Sequence, residues 1–386
     1  MNNHNSILER FINSLFMNIQ KKGIEPGIVI ASPSKKDPDY FYHWIRDGAI
    51  TMRCIILLYK KNKINFDYLV RLFNNYIKVE QQIQNLPTLS GLGEPKVHVN
   101  ITPFNDSWGR PQNDGPALRA IVLMEYLEIL FENKFRNNNL DKNILHTLYD
   151  SKYPTLSIIK KDLEYISTNF YLEGFDLWEE IRGFHFYTLM VQKKALKEGS
   201  KLAKKLNDPQ ASDWYEINAN KITELLRMFY RDNRIISSIK SLDTGEELRK
   251  DDSSIILAYL HTDTIPDICL KNTVKDLIKL FREEYSINKE NDYYLIGRYQ
   301  NDHFFGGNPW ILLSCALAHI IKKINNELDT DFYNNLDKKI INDILHISHI
   351  NSNHFSEQIC KNTIRMIGAV YLTWNFSEMI SYLLLQ

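Results

Sequence analysis

Apolar residues recur at helical spacing along nearly the whole chain. Near the N-terminus, Leu8, Phe11, Leu15 and Ile19 form one stripe of the kind that an amphipathic helix turns towards a core. The same spacing predicts further helices at 46–61, 64–86, 115–133, 153–168, 183–206, 211–231, 252–260, 271–287, 308–326, 330–347 and 370–385. Strand signals are sparse, with short candidates at 234–239 and 293–299 that we interpret as hairpins. The pattern therefore predicts an all-α protein of about twelve helices.

The predicted helices are of two kinds. Segments 117–131, 310–318 and 371–385 are apolar on almost every side, whereas 211–231 and 330–347 carry one apolar stripe and a charged face. A helix that is apolar all round has to be covered all round. We therefore expect two concentric layers, with about six inner helices wrapped by six outer ones. An irregular solenoid of stacked helix pairs would require a fixed repeat, and none is present.

The amino-acid composition argues against several classes of binding partner. The 47 basic residues balance the 47 acidic ones, so no net field attracts nucleic acid or an anionic membrane. No stretch reaches the roughly 18 apolar residues of a membrane span, and the four cysteines lack metal-ligand spacing. We expect a monomer without metal or cofactor, located inside the cell (cytoplasmic or vacuolar) unless a leader was removed. No linker interrupts the chain, so one domain over 1–386 is favoured.

Aromatic rings and carboxylates gather in the segments that lead into helices. These segments are 37–47, 91–96 with 107–119, 174–181, 297–310 and 354–359. If the inner helices begin on one face of a ring, their preceding loops converge there and form one pocket. Trp, Tyr, Arg and carboxylates together suit a neutral polyhydroxylated ligand, because rings stack on C–H faces and charged groups bind hydroxyls. Phosphate is disfavoured, since no G-x-x-x-x-G-K-[ST] motif occurs.

Two carboxyl groups on opposite sides of a glycosidic bond are sufficient for its hydrolysis. Glu179, Glu180 and Glu357 are the candidates. Trp178 and Glu180 flank Glu179, and an apolar ring and a like charge both favour a protonated carboxyl group that can act as an acid. The alternative is structural, because acidic residues are also common in the first turn of a helix.

Eight ordered segments resemble glycoside hydrolase family 15, the glucoamylases, and specifically the fungal-type catalytic domain. They are I-A-S-P-S (30–34), P-D-Y-F-Y-H-W-I-R-D (38–47), S-G-L-G-E-P-K (90–96), W-G-R-P-Q-N-D-G-P-A-L-R-A (108–120), D-L-W-E-E (176–180), G-R-Y with G-N-P-W (297–310), S-E-Q (356–358) and L-T-W (372–374). The resemblance extends over nearly the whole chain. It implies an (α/α)6 barrel, in agreement with the two layers expected from the helix pattern.

The resemblance also implies roles for individual residues. Glu179 is similar to the family's general acid and Glu357 to its general base, which activates water. The substrate-binding residues implied are Tyr40, Trp44, Arg46, Asp47, Trp108, Arg110, Leu177, Trp178, Glu180, Arg298, Asp302, Trp310 and Trp374. Because the family inverts the anomeric centre, the two catalytic carboxyl groups are expected about 6.5–9.5 Å apart.

The implied activity is that of a glucan 1,4-α-glucosidase releasing β-D-glucose from the non-reducing ends of glycogen-like polymers or maltooligosaccharides. Two alternatives stay open: an inverting α-glycosidase acting on α-1,6-glucans or trehalose, and an inactive relative that binds glucan. Phe304 and Phe305 stand where many members have tyrosines, and Arg182 stands where fungal members often have Asn, so Phe304 and Arg182 are expected to influence substrate preference. We expect no starch-binding module within 386 residues.

Overall fold

The computed structural model describes residues 2–137, 142–328 and 330–385, and within these ranges the chain forms fourteen α-helices. In chain order they are α1 (Asn2–Ile19), α2 (Ile45–Lys60), α3 (Phe66–Ile83), α4 (Asp114–Asn137), α5 (Lys142–Leu148), α6 (Ile158–Asn169), α7 (Phe186–Lys205), α8 (Pro209–Leu226), α9 (Ser254–His261), α10 (Ile268–Glu284), α11 (Ser286–Glu290), α12 (Ile311–Glu327), α13 (Leu336–Ile350) and α14 (Thr373–Leu383). None of these helices combines the length and apolar character needed to cross a bilayer.

Six helices form a closed inner ring. The contacts run from α2 to α4, α7, α9, α12 and α14, and α14 then returns to α2. These helices are covered on most sides; all eight residues of α9 and ten of the eleven in α14 are buried. The outer helices α1, α3, α6, α8, α10 and α13 each pack on the ring. This arrangement is an (α/α)6 barrel, so the predicted two layers are confirmed, and the short helices α5 and α11 are additions to them.

Short strands connect the helices at one end of the barrel. They are β1 (Tyr42–Trp44), β2 (Lys96–His98), β3 (Gly174–Phe175), β4 (Arg182–His185), β5 (Tyr230–Arg231), β6 (Arg234–Ile235), β7 (Ser238–Ile239), β8 (Glu247–Arg249), β9 (Ser356–Ile359) and β10 (Met366–Val370). Antiparallel pairs join β1 to β2, β5 to β6 and β9 to β10, and β3, β4, β7 and β8 form a four-stranded sheet in that order. The predicted strand at 234–239 is found as β6 and β7. The one at 293–299 is wrong, because this segment is irregular apart from a bridge between Tyr299 and Asp252.

Inner and outer helices begin differently. The outer helices α3, α8 and α10 start after Asn65, Asp208 and Asp267, whose side chains accept hydrogen bonds from the first turn. The inner helices α2 and α12 start after Trp44 and Trp310 without a side-chain cap. The position that caps an outer helix thus holds an aromatic ring at these two inner helices, and both rings line the same cavity.

A buried charged network joins three helices to β1. The Arg119 guanidinium donates to both oxygens of Asp162 at 2.6 and 2.7 Å and to Glu80 Oε2 at 2.8 Å. His43 Nδ1 accepts from the Val29 backbone N–H at 3.0 Å, which places the ring proton on Nε2, 2.9 Å from Glu80 Oε1. Buried charges are tolerated when they are paired and hydrogen-bonded in this way. The network therefore fixes α3, α4 and α6 relative to the residue that precedes Trp44.

Replacing Arg119 by Met tests this network. The substitution leaves the Asp162 and Glu80 carboxylates buried without their cation, so we expect the free energy of unfolding to fall by about 3–5 kcal/mol. Denaturant unfolding followed by circular dichroism measures the change. Lys201→Met is the control, because it removes an exposed ion pair with Glu198 and costs at most about 1 kcal/mol. Equal midpoints for the two variants would contradict the account.

Candidate active site

The segments that precede the inner helices line one cavity of about 830 Å³. Thirteen of the fifteen residues proposed for the site from the sequence lie in its wall: Tyr40, Trp44, Arg46, Asp47, Trp108, Leu177, Trp178, Glu179, Glu180, Arg298, Trp310, Glu357 and Trp374. The expected convergence of loops on one face of the ring is therefore present. Arg110 and Asp302 do not line the cavity and act on residues around it.

Glu179 and Glu180 lie in the loop of the β3–β4 hairpin. Helix α7 begins only at Phe186, so the alternative that these acids form the first turn of a helix is wrong. Glu179 has a φ of +70°, and the buried Asp176 holds the turn by accepting from the backbone N–H groups of Glu180 and Ile181 at 2.8 and 3.0 Å. A non-glycine residue with positive φ is uncommon, and here it places the Glu179 side chain in the cavity.

Both carboxylate oxygens of Glu179 receive N–H donors. Oε1 accepts from Trp44 Nε1 at 2.7 Å and from Gln112 Nε2 at 3.0 Å, and Oε2 accepts from Trp108 Nε1 at 2.7 Å. Arg46 Nη2 lies 3.6 Å from Oε1. Preorganised donors of this kind stabilise negative charge that develops when a carboxylic acid gives up its proton. Trp178 and Glu180, the neighbours expected from the sequence to favour a proton on Glu179, direct their polar groups to other residues.

Trp178 and Glu180 bond to a second cluster of charged side chains. The Trp178 indole N–H donates to both oxygens of Asp252, at 3.1 and 3.0 Å. Glu180 accepts from Arg298 Nη2 at 2.7 Å and from the Tyr299 hydroxyl, and its carboxylate also pairs with Arg249 at 3.3 Å. The Glu180 side chain remains 29 % exposed. Its position suits contact with a bound molecule at the cavity entrance.

Glu357 has fewer hydrogen-bond donors around its carboxyl group than Glu179 has. It lies on β9 with no exposed surface, and Gln358 Nε2 donates to its Oε2 at 3.0 Å. Tyr40 faces this carboxyl group, but Oε1 has no partner at hydrogen-bonding geometry among the described residues. Burial raises the pKa of Glu357 to about 7, against smaller opposing effects of Tyr40, Gln358 and Arg298. The group can therefore exchange a proton near neutral pH.

Four buried polar atoms on cavity-lining side chains lack a hydrogen-bond partner in the described structure. Arg46 Nε and Trp310 Nε1 are donors, and Asp47 Oδ2 and Glu357 Oε1 are acceptors. Burial raises the pKa of Asp47 to about 6 although Arg46 lies beside it, with Nε 3.5 Å from Oδ2. Buried polar groups are normally paired, so these atoms indicate a site for a ligand that both donates and accepts hydrogen bonds.

Arg110 and Asp302 support the cavity from outside its wall. Arg110 pairs with the buried Glu94 at 2.9 Å, and Asp302 holds Arg298 through two bonds of 2.6 and 2.7 Å. Arg182, which was expected to influence the site, pairs with Glu173 on the surface and lies outside the cavity lining. Phe304 does line the cavity, with its ring 5.9 Å from that of Trp310.

Sequence reasoning missed several residues of this site. Gln112 bridges Arg46 and Glu179, and Arg249 connects Asp176 and Glu180. Gln112 belongs to the W-G-R-P-Q-N-D segment, so its closeness to Trp108 in the sequence could have identified it as a site residue. Arg249 lies on β8 outside every quoted segment and is brought in by sheet pairing alone. The described residues contain no cluster of His, Cys, Asp and Glu suited to a metal ion.

The model for glycosyl hydrolases family 15 matches residues 3–384. The chain belongs to glycosyl hydrolase family 15. Among curated proteins, a glucoamylase of Blastobotrys adeninivorans is 35% identical over 339 residues, which is 82% of this chain and 54% of that protein. The probable glucoamylase of Schizosaccharomyces pombe is 32% identical over 78% of this chain and 65% of its own length. The chain thus spans about half to two thirds of these curated relatives.

Solved family 15 structures have the same fold. The glucoamylase from Saccharomycopsis fibuligera superposes with a TM-score of 0.82 at 26% identity, covering 98% of this chain and 94% of that one. The glucoamylase of Hormoconis resinae gives 0.81 at 28% identity, covering 98% of this chain and 72% of its own. These similarities confirm the (α/α)6 barrel expected from the sequence and the family resemblance that the eight segments indicated.

Infrared spectroscopy tests the environment of Glu357. The carbonyl band of a protonated carboxyl group should disappear with a midpoint at about pH 7 in the wild type and should be missing from Glu357→Gln. Glu224→Gln is the matched control, because Glu224 is an exposed surface residue paired with Arg227. A midpoint near the ordinary glutamate value of 4.5 would show that burial does not control this group.

Proposed function

We propose that this protein is a glucan 1,4-α-glucosidase that hydrolyses α-1,4-glucans from their non-reducing ends and releases β-D-glucose. Membership of family 15 and the similarity to proteins named glucoamylase support this activity. Maltooligosaccharides and glycogen-like polymers are the proposed substrates. Water is the only co-reactant required.

The unpartnered polar atoms in the aromatic cavity carry this proposal. A sugar hydroxyl both donates and accepts, so one glucose unit can satisfy Arg46 Nε and Trp310 Nε1 as well as Asp47 Oδ2. A fully ionised phosphate group only accepts hydrogen bonds and would leave Asp47 Oδ2 without a donor. The rings of Tyr40, Trp178 and Trp374 line the same cavity and supply surfaces for the sugar's C–H faces. We assign Arg46 and Asp47 to the hydroxyls of the terminal glucose.

The positions of Glu179 in the D-L-W-E-E segment and of Glu357 in the S-E-Q segment support different proton-transfer roles. Glu179, surrounded by N–H donors, protonates the leaving glycosidic oxygen, and the donors stabilise the carboxylate that remains. Glu357, with its free Oε1, accepts a proton from water as the water oxygen bonds to the anomeric carbon. The C–O bond to the leaving sugar breaks on the opposite side, so an α-linked substrate gives β-glucose. Glu180 at the cavity entrance binds the leaving part.

The proposal also includes the domain extent, the cellular location and the oligomeric state of the protein. A single catalytic unit over 1–386 is supported by the family match over residues 3–384. The four cysteines are free thiols, with Cys54 and Cys315 buried and Cys269 and Cys360 partly buried. Free thiols are typical of reducing compartments and support an intracellular location. We propose that the enzyme acts as a monomer.

The anomeric form of the product tests the activity. Purified protein given maltotriose should release glucose that is first detected as the β anomer by proton NMR, because water attacks opposite the leaving group. α-Glucose as the first product would contradict the inverting assignment. Release from isomaltose or trehalose with maltotriose left intact would favour the other α-glycosidase activity, and binding of maltotriose without hydrolysis would favour an inactive relative.

Activity on α-D-glucosyl fluoride distinguishes the roles of the two proposed proton carriers. Glu179→Gln and Glu357→Gln should each lower turnover of maltotriose by about 10²- to 10⁴-fold. On α-D-glucosyl fluoride, Glu179→Gln should keep much of its activity, since fluoride leaves without a proton, whereas Glu357→Gln should not. Glu224→Gln, on the surface, should resemble the wild type on both substrates. If Glu357→Gln kept more activity on α-D-glucosyl fluoride than Glu179→Gln, the roles of acid and base would have to be exchanged.

A further inference from the structure

Lys96 is a buried cation in the cavity wall that the proposed chemistry does not yet use. It lies on β2 directly opposite Trp44 of β1, and residues paired in this way have neighbouring side chains on the same face. Its relative exposure is 1 %, and it lines the cavity. A lysine is rarely buried so completely without a carboxylate, and Lys96 has no ion pair among the described residues.

Aromatic rings surround the Lys96 ammonium in place of a carboxylate. Nζ lies 3.2 Å from the ring centroid of Trp108, 4.2 Å from that of Phe104, 4.4 Å from that of Trp44 and 4.5 Å from that of Tyr42. A cation is attracted to the face of an aromatic ring, and most strongly to tryptophan. The rings also pack edge to face with one another, with Phe104 and Trp108 at 5.7 Å and 89°. Together they form an aromatic cage around Nζ.

Two rings of this cage are the indoles that bind Glu179. Trp44 and Trp108 turn their faces to Lys96 and their N–H groups to the two oxygens of Glu179, each at 2.7 Å. We propose that Lys96 is a positioning residue, whose ammonium fixes both indoles so that their N–H groups hold Glu179 in the geometry for protonating the leaving oxygen. This role rests on the proposed function. A cation on the ring face also makes each indole N–H a stronger donor.

The charge of Lys96 is itself sensitive to pH. Burial lowers the pKa of Lys96 to about 8, while the nearby carboxylates of Glu179, Asp39 and Asp106 act in the opposite direction and Arg110 adds to the lowering. Above this pH the ammonium becomes a neutral amine, and its attraction to the rings is lost. The orientation of Trp44 and Trp108 should therefore change over the same interval.

Kinetics of Lys96→Met and Lys96→Arg test the positioning role. Met has an unbranched side chain of similar length without the charge, so kcat for maltotriose should fall by about 10- to 100-fold, the effect of a misplaced catalytic group, with little change in KM. The loss on α-D-glucosyl fluoride should be much smaller, because no leaving-group proton is needed. Arg keeps the charge and should restore most of kcat. Lys205→Met, which removes a lysine 4.1 Å from the Phe131 ring outside the cavity, should match the wild type.

Tryptophan fluorescence provides a measurement independent of turnover. The wild type should show a transition centred at about pH 8, and Lys96→Met and Lys96→Arg should lack it. Full kcat in Lys96→Met, or equal losses on both substrates, would overturn the inference. If Lys96→Met does not fold, the Arg variant and the wild-type titration decide the question. Wild-type protein without activity on either substrate would instead reject the proposed function, and the fluorescence transition would still test the cage.

Discussion

The hydrogen bonds to the Glu179 carboxylate are the constraint on which the rest of the site depends. The carboxylate comes from the β3–β4 hairpin, while its donors Trp44, Trp108 and Gln112 come from the segments before α2 and α4. A carboxyl group held in such a cavity needs hydrogen-bond partners, since an unpaired buried polar group is unfavourable. The hairpin and the two segments therefore adopt their positions together, and the ring of inner helices brings their ends to one place.

The second carboxyl group differs because β9 and β10 surround it with few donors. Gly368 on β10 lies so close that a Cβ there would stand 2.5 Å from Glu357 Oε2. This close packing covers the Oε2 side of the carboxyl group, and burial raises the pKa of Glu357 to about 7. Two carboxyl groups in contrasting surroundings can act as acid and base in one reaction. The barrel thus determines where each carboxyl group lies, and the connecting segments determine its hydrogen-bond donors and its burial.

The helical layers were accessible from apolar periodicity, and the cavity residues were accessible from the family resemblance that the local motifs carry. The pairing of residues from distant segments was not accessible from the sequence. The sequence named Trp178 and Glu180 as the neighbours of Glu179, yet a turn held by Asp176 directs Glu179 to Trp44 and Trp108. Lys96 was quoted within a motif without a role, since only its register with Trp44 reveals the cage. Adjacent residues in a loop often point to different partners.

Glu179 and Glu357 should act on opposite sides of one sugar ring, with a water molecule between Glu357 and the anomeric carbon. The most direct measurement is the separation of their carboxyl groups in a crystal structure with a bound glucose-like inhibitor. A distance of about 6.5–9.5 Å with an ordered water beside Glu357 is the predicted result. A separation of about 5–5.5 Å, which leaves no room for water, would contradict the account.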